Sequence, residues 1–521
     1  MTGASSAGRW QCLRVATVTD DMPHRIEDLV GRLRARCPER VVVQDPTAAL
    51  TGTALSEAVE ETRRALGGTG IEPGDRVAIV GENSAAMAIA YFAATAISAW
   101  PVLLNARLTA VEIDRICKHA GPRALLFTTA ASPAAAKHAQ LMGTMELTGN
   151  LGLKLAMSQA SAPERTTGDP SDVAALLYTS GTTGEPKGVM LTHANLLSVA
   201  RQSGALRRVG PADRVYAVLP VSHVFGLSSV FLASLTYGAE VRLEPRFDAE
   251  TVARALAEDG ITVFQGVPAM YARLMELAAL RGAALPAPRL RYLSSGGAPL
   301  DPGLKRRVEA MWGQPLHNGY GLTETSPTVA TTRVDSPAED ESVGRALPGV
   351  ELRIAEPATG RALPAGETGE IWVRGPGVMK GYYNAPEETA KAITPDGWLK
   401  SGDLGRLDAQ GNLYVVGRLK ELIIRSGFNV YPSEIEAVLT MHPDVGLAAV
   451  VGKKVESNEE VFAFLEPKPG RTIDIEGVRA FATERLAPYK RPSRYLVQAP
   501  LPMTSAGKIR KAELARLLER N

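Results

Sequence analysis

An α/β architecture with largely parallel sheets is expected from three features of this chain. Helix-like and strand-like stretches alternate through its first part, as they do in stacked βαβ layers. Its 521 residues exceed what one core holds, so a large, internally divided N-terminal domain followed by something smaller is expected. Over residues 344–375 the texture changes to short alternating runs between Gly and Pro turns, which adds a small antiparallel, β-barrel-like part.

The elements follow in order. Residues 55–66 carry Leu55, Val59 and Leu66 at helical spacing among Glu and Arg, and stop at Gly67-Gly68, as an amphipathic helix with a C-terminal cap should. Residues 76–80 and 124–128 are expected strands. Between them, residues 85–104 are uncharged and long enough to span a bilayer. They are dominated by Ala, interrupted by Pro101 and contain Thr95 and Ser98, so a buried core helix is expected instead of a span. Residues 130–170 are rich in Ala, Ser and Thr and fit a surface excursion.

Bulk composition narrows the function classes. With 58 basic and 56 acidic residues the net charge is +2, so no global field draws in nucleic acid. Cys12, Cys37 and Cys117 are far apart and in no metal-ligand spacing, which fits a reduced cytoplasmic compartment. Residues 1–9 are small and polar with no apolar signal region behind them. A soluble cytoplasmic protein is expected.

The chain is organised around residues 178–188, Tyr-Thr-Ser-Gly-Thr-Thr-Gly-Glu-Pro-Lys-Gly, set between the apolar runs 173–177 and 189–191. It is expected to be a loop between two strands. Its glycines let the backbone approach a ligand closely, its hydroxyls offer donors and Lys187 adds a mobile charge, a combination suited to a polyphosphate. A plain surface loop is the competing interpretation. A P-loop is excluded, because Gly181 is followed five places later by Pro186 where Gly-Lys-Ser/Thr is required.

Further stretches carry chemistry of their own. Residues 318–325, Asn-Gly-Tyr-Gly-Leu-Thr-Glu-Thr, offer Tyr320 as a stacking face for a purine and Glu324 as an oxygen ligand for a hard cation, or else form a turn into a capped helix. Residues 401–403, Ser-Gly-Asp, present a carboxylate able to accept from a ribose diol. Residues 263–271 and 292–300 each read as a strand entering a Gly/Pro turn, and His223 sits among apolar residues where a satisfied core histidine is the ordinary case.

Four of these blocks together resemble the adenylate-forming superfamily, which contains acyl- and aryl-CoA ligases, peptide-synthetase adenylation domains and firefly-type luciferases. They are residues 179–188, 318–325, 398–436 and 502–510, in the family's order and over about two thirds of the chain. The resemblance implies ATP, Mg²⁺ and coenzyme A. It implies that Thr179, Ser180, Gly181, Thr182, Thr183, Gly184 and Lys187 hold the phosphates, and that Thr179 and Glu324 ligate Mg²⁺. Gly297, Ala298 and Pro299, with Asn318, Gly319, Tyr320, Gly321 and Thr323, would surround the adenine, Asp403 the ribose, and Arg418 the ribose or phosphates. Lys420 would be the hinge between residues 1–419, an adenylation domain, and residues 420–521, a small mobile α+β lid. Gly427 lies in a stretch resembling the edge of the CoA tunnel, and Lys508 falls at the position of the adenylation lysine.

The activity so implied is ATP-dependent acid–CoA ligation through an acyl adenylate, with a stand-alone ligase that loads a carrier protein as the alternative. A luciferase-type oxygenase and a catalytically silent nucleotide-binding regulator are the other competitors, and intact Lys187, Glu324, Asp403, Arg418 and Lys508 speak against the latter. His223, Phe225, Val267, Tyr271 and Gly319 are the acyl-pocket candidates. They lack an Arg or Lys to pair a second carboxylate, so a monocarboxylic fatty or aromatic acid is expected. Oligomeric state, a homodimer included, is left open by the sequence.

Overall fold

The computed structural model describes residues 23–148, 152–158, 162–180, 186–426, 428–455, 458–503 and 509–519. Two large sheets dominate. In the first, parallel strands Arg76–Gly81, Trp100–Asn105, Ala124–Thr128 and Val173–Ser180 form the centre, and the antiparallel strand Pro186–Thr192 extends one side. In the second, Val41–Gln44, Glu240–Leu243, Arg214–Ala217, Val263–Gly266, Tyr292–Gly296 and Leu316–Gly321 run parallel in that spatial order. One contiguous core joins both sheets through the buried helices Ala85–Ala96 and His193–Leu206 and the π-helical stretch Phe225–Leu232. Helices on the sheets, and sheets too apolar to alternate, are what parallel pairing requires.

A four-stranded antiparallel sheet, Glu351–Ala355, Gly369–Arg374, Leu399–Leu407 and Leu413–Arg418, follows. It confirms the change of texture expected after residue 344 and extends it to Arg418. After a 3-10 turn, Leu419–Glu421, comes a small α+β unit. Strands Val445–Val455, Asn458–Pro467 and Arg494–Val497 form its sheet, and helices Pro432–Thr440, Ile475–Arg485 and Lys511–Glu519 bury an apolar cluster on each face.

Three local expectations need correction. Residues 85–104 are not one helix: the helix ends at Ala96, Ser98 turns the chain with a φ of 55°, and Trp100–Asn105 is a strand. An apolar run without period cannot tell the two apart. Residues 130–170 are more than a surface excursion, because Ser132 caps a helix, Pro133–Leu141, and strand Leu153–Met157 pairs antiparallel with Ala124–Thr128 at the sheet edge. Strand Val263–Gly266 stops before residue 267, and Pro268 starts a helix that includes Tyr271. No helix among the described residues is long and apolar enough to cross a membrane.

Candidate active site

Two strands flank the phosphate-loop stretch as expected, but they pair as a hairpin and run further into it than residues 177 and 189, over Val173–Ser180 and Pro186–Thr192, with Thr179 opposite Lys187 and Ser180 opposite Pro186. Gly181, Thr182, Thr183 and Gly184 lie outside the described residues, as do Gly427 and Lys508; of Ser180 only the backbone is described. Lys187 donates to Glu388 at 2.6 Å, and its Nζ stands 5.1 Å from the centre of the Tyr382 ring. Tyr382 pairs with Val189 on the same hairpin and donates its hydroxyl to Glu324 Oε1 at 2.9 Å. Thr179, Lys187, Tyr382 and Glu324 are therefore successive members of one chain of contacts. Burial and the negative charge of Glu324 push the Tyr382 phenol up, so it stays a donor.

On the other side of Glu324, strand Leu316–Gly321 brings in Asn318, Gly319, Tyr320 and Gly321, and the 3-10 turn Thr323–Thr325 follows directly. A Cβ on Gly321 would stand 2.0 Å from the Pro327 carbonyl oxygen, so only glycine fits there. Tyr320 donates to Asp403 Oδ2 at 2.7 Å, while Arg418 Nε lies 3.4 Å from Asp403 Oδ1. Cross-strand pairing of Asp403 with Arg418 builds that second contact into the antiparallel sheet. Asn318 is buried, and its side-chain oxygen accepts from the Gly319 amide. Gly297, with a φ of 78°, leads out of the neighbouring strand into Ala298 and Pro299.

The acyl-pocket candidates divide. Phe225 opens the π-helical stretch, a distortion that often marks functional sites. Its ring edge would stand 3.1 Å from a Cβ on Gly296, and the Gly319 carbonyl 3.4 Å from the same point. Val267 reaches to 3.8 Å of the corresponding position on Gly297. Phe225, Val267 and Gly319 are thus gathered around the ends of adjacent strands. His223 lies two residues before Phe225 and accepts from the Phe225 amide at 3.3 Å. Tyr271 is not brought there: it is fully buried, donates to the Ser294 carbonyl at 2.8 Å and packs edge-on to Phe264. Its helical position aims it into the core behind the sheet.

This arrangement has known counterparts. The signature of the AMP-binding enzyme family matches residues 32–383, and that of the AMP-binding enzyme C-terminal domain matches residues 434–508. The chain belongs to the AMP-binding enzyme family. Within it, the chain falls in the acyl- and aryl-CoA ligase branch, the AMP-forming acid–CoA ligases. It is 35% identical over 486 residues to 2-succinylbenzoate–CoA ligase of Geobacillus kaustophilus, covering 92% of this chain and 96% of the relative. It is 36% identical over 492 residues to feruloyl-CoA synthase of Amycolatopsis, covering 93% and 97%. The o-succinylbenzoate CoA synthetase of Bacillus subtilis, solved with ATP and a magnesium ion, superposes with a TM-score of 0.80 at 30% identity, covering 93% of this chain and 98% of that one. The same enzyme solved with its acyl-adenylate intermediate gives 0.81 at 29% identity, covering 95% and 98%.

That synthetase was solved with a magnesium ion, and the residues present here fit one. No group of three or more His, Cys, Asp or Glu side chains that could hold a metal exists among the described residues. A single carboxylate, Glu324, which accepts from Tyr382 and is linked through it to the hairpin, suits an ion that keeps several waters and takes its remaining ligands from substrate phosphates.

Tyr382 and Glu388 were not foreseen. Their signal was present in residues 381–388, Gly-Tyr-Tyr-Asn-Ala-Pro-Glu-Glu, where an aromatic pair leads into a helix with Pro at its start and an acidic first turn.

Proposed function

We propose that the protein joins a monocarboxylic fatty or aromatic acid to coenzyme A, using ATP in two half-reactions. The observation that supports this most directly is adjacency along one strand. The Gly319 carbonyl and the Phe225 ring stand 3.4 and 3.1 Å from one point, the Cβ position on Gly296, and the next residue, Tyr320, is bonded to Asp403 on the nucleoside side. A carboxylate entering beside Phe225 and a nucleotide seated over Tyr320 meet with one residue between their supports.

In the first half-reaction a carboxylate oxygen attacks the α-phosphorus of ATP, the bond to the bridging oxygen breaks, and pyrophosphate leaves. This converts a poor electrophile into a mixed anhydride and divides one hard step into two. Lys187 and the hydroxyls of the hairpin loop hold the phosphates, Asp403 accepts from the ribose, and Tyr320 stacks on the base. Mg²⁺, held by Glu324 and Thr179, would neutralise charge building on the leaving pyrophosphate. Lys508 bridges the carboxylate and α-phosphate as a preorganised cation. In the second half-reaction residues 420–521 turn about Lys420, withdrawing Lys508, and the CoA thiol attacks the acyl carbon with AMP leaving.

Phe225, Val267 and Gly296 give the acyl side an apolar, ring-lined wall, which supports a fatty or aromatic acid over a dicarboxylic one. A cytoplasmic location, where ATP and CoA are supplied, completes the proposal. The test is pyrophosphate release by the purified protein across a panel of fatty, aromatic and dicarboxylic acids, with and without CoA. Release with a monocarboxylic acid and CoA-dependent thioester formation are expected; no release with any acid refutes the activity, and adenylate without thioester refutes CoA as acceptor.

A further inference from the structure

Lys511 is the first residue of the C-terminal helix Lys511–Glu519, a place where a cation opposes the helix dipole. Local preference therefore argues against it, and a tertiary reason is found in two carboxylates. Its Nζ lies 2.9 Å from Glu421 Oε2 and 2.8 Å from Glu436 Oε1. Glu436, on helix Pro432–Thr440, also accepts from the Val450 amide at 2.6 Å, which fixes it to the lid sheet. Glu421 ends the turn Leu419–Glu421, one residue past the proposed pivot Lys420, with Arg418 and Lys420 as its other charged neighbours. Burial opposes the charge on Lys511, but the two carboxylates outweigh it and raise its pKa.

The same segment is tied from its other side. Ile509 bridges to Met503, and the Arg510 amide donates to the Pro502 carbonyl at 2.8 Å. The residues flanking 504–508 are thus paired with each other, and the downstream flank is bound through Lys511 to the turn beside the proposed pivot. Without the ammonium, Glu421 and Glu436 would repel each other in a largely buried place.

We propose that Lys511 is a positioning residue for adenylation: it makes Glu421 the first rigid residue of the lid and fixes the base of the Lys508 stretch to the pivot. Rotation about Lys420 then carries residues 509–519, directly downstream of Lys508, together with Glu421 and Glu436. This rests on the functional assignment of Lys508 given above. Thiolysis proceeds with Lys508 withdrawn and does not need that registration.

The experiment uses the full-length enzyme and the acid giving most pyrophosphate in the panel, and compares Lys511→Met, Lys511→Arg, Glu421→Gln and Lys508→Ala. Lys511→Met is expected to lower kcat for adenylation about 10²-fold. Its KM for ATP should stay within about twofold and its thiolysis of supplied acyl-AMP within about threefold. Lys511→Arg should recover most of the rate, since it restores a cation between the same carboxylates. Equal loss in both half-reactions, or adenylation within about threefold of the parent, overturns the proposal. Should Lys511→Met fail to fold, Glu421→Gln decides, because it keeps the Glu436 contact: a selective adenylation defect supports the proposal and parental adenylation overturns it. Lys508→Ala separates the two layers. Intact adenylation in Lys508→Ala refutes the functional assignment, whereas its loss beside a normal Lys511→Met refutes only the positioning role.

Discussion

Lys187 and Glu388 are joined at 2.6 Å although 201 residues separate them in the chain, and Lys391 shares the same carboxylate at 2.8 Å. The hydrogen bonds from Lys187 and then Lys391 hold the Glu388 carboxyl down to about 2, so it is charged across the working pH range. In the proposed activity, a triphosphate arriving at Lys187 would share the ammonium with this carboxylate and approach a fixed negative charge. Glu388→Gln is therefore expected to lower KM for ATP about two- to fivefold at low ionic strength, and the difference should shrink near 0.3 M salt, where the screening length falls to roughly 6 Å. Steady-state kinetics at two salt concentrations checks this. A raised KM would show that Glu388 instead holds Lys187 in its binding position.

Gly296 tests the acyl side. A Cβ there would meet two atoms of the Phe225 ring at 3.1 and 3.3 Å, closer than ordinary contact, so the ring has to yield by a few tenths of an ångström. Gly296→Ala should raise KM for bulky aromatic acids about tenfold while leaving KM for ATP within about twofold, since a lost or crowded methylene is worth 1–3 kcal/mol in such pockets. Competition assays with aromatic and short-chain acids read the switch directly. An ATP defect of equal size would place Gly296 on the nucleotide side.

Residues in contiguous stretches were legible, and residues meeting across the fold were not. The flanks of the phosphate stretch announced themselves as strands because residues 173–177 and 189–191 are short apolar runs around a Gly-rich break, and the hairpin follows them. Tyr320, Glu324, Asp403 and Arg418 could be named from local motifs, but that Tyr320 donates to Asp403 depends on two sheets closing together. Tyr382 and Glu388 acquire meaning only through Glu324 and Lys187, far away in sequence. Tyr271 was misjudged for a local reason. Reading residues 263–271 as a strand put its side chain at the strand end, whereas Pro268 starts a helix whose first turn aims it into the core.

Two buried histidines contribute to the response to acid. His193 is 1% exposed, its Nδ1 accepts from the Ile26 amide at 3.0 Å, and burial, then Arg25, pushes its pKa down to about 3. His317 stacks on Tyr292 and is pushed down to about 4 by burial, then by Arg207 and Lys305. Both are neutral when folded, while in the unfolded chain each binds a proton near pH 6.5. Between those limits the unfolded state holds more protons, so stability rises with pH; the contribution is full above about 6.5 and is lost as pH falls toward about 4 for His317 and about 3 for His193. The slope is at most roughly 1.4 kcal/mol per pH unit for each histidine. His193→Asn keeps an acceptor but cannot titrate. It should be less stable than the parent at pH near 7.5 and show a shallower pH dependence between about 6.5 and 4.5 by denaturant unfolding. A parental slope would show that His193 is protonated in the fold.

Lys420 provides the last test, because its backbone is the proposed pivot of the lid. It sits in the 3-10 turn Leu419–Glu421, between Arg418, paired with Asp403 on the body side, and Glu421, bound by Lys511 on the lid side. Only Leu419 and Lys420 lie free of those two anchors, so a rotation has to be absorbed there. Proline fixes φ near −65°, within the range of a 3-10 turn, so Lys420→Pro is compatible with such a turn and restricts the backbone at the proposed pivot. The ring also disfavours a helical Leu419, which costs some stability in this arrangement. Adenylation should therefore persist at a moderately reduced rate, while thiolysis of supplied acyl-AMP should fall by at least about 10²-fold if it needs a second arrangement of the lid. Lys420→Ala, which removes the ammonium and leaves the backbone free, should restore thiolysis. If Lys420→Pro carries out thiolysis at the parental rate, the lid does not pivot at this residue.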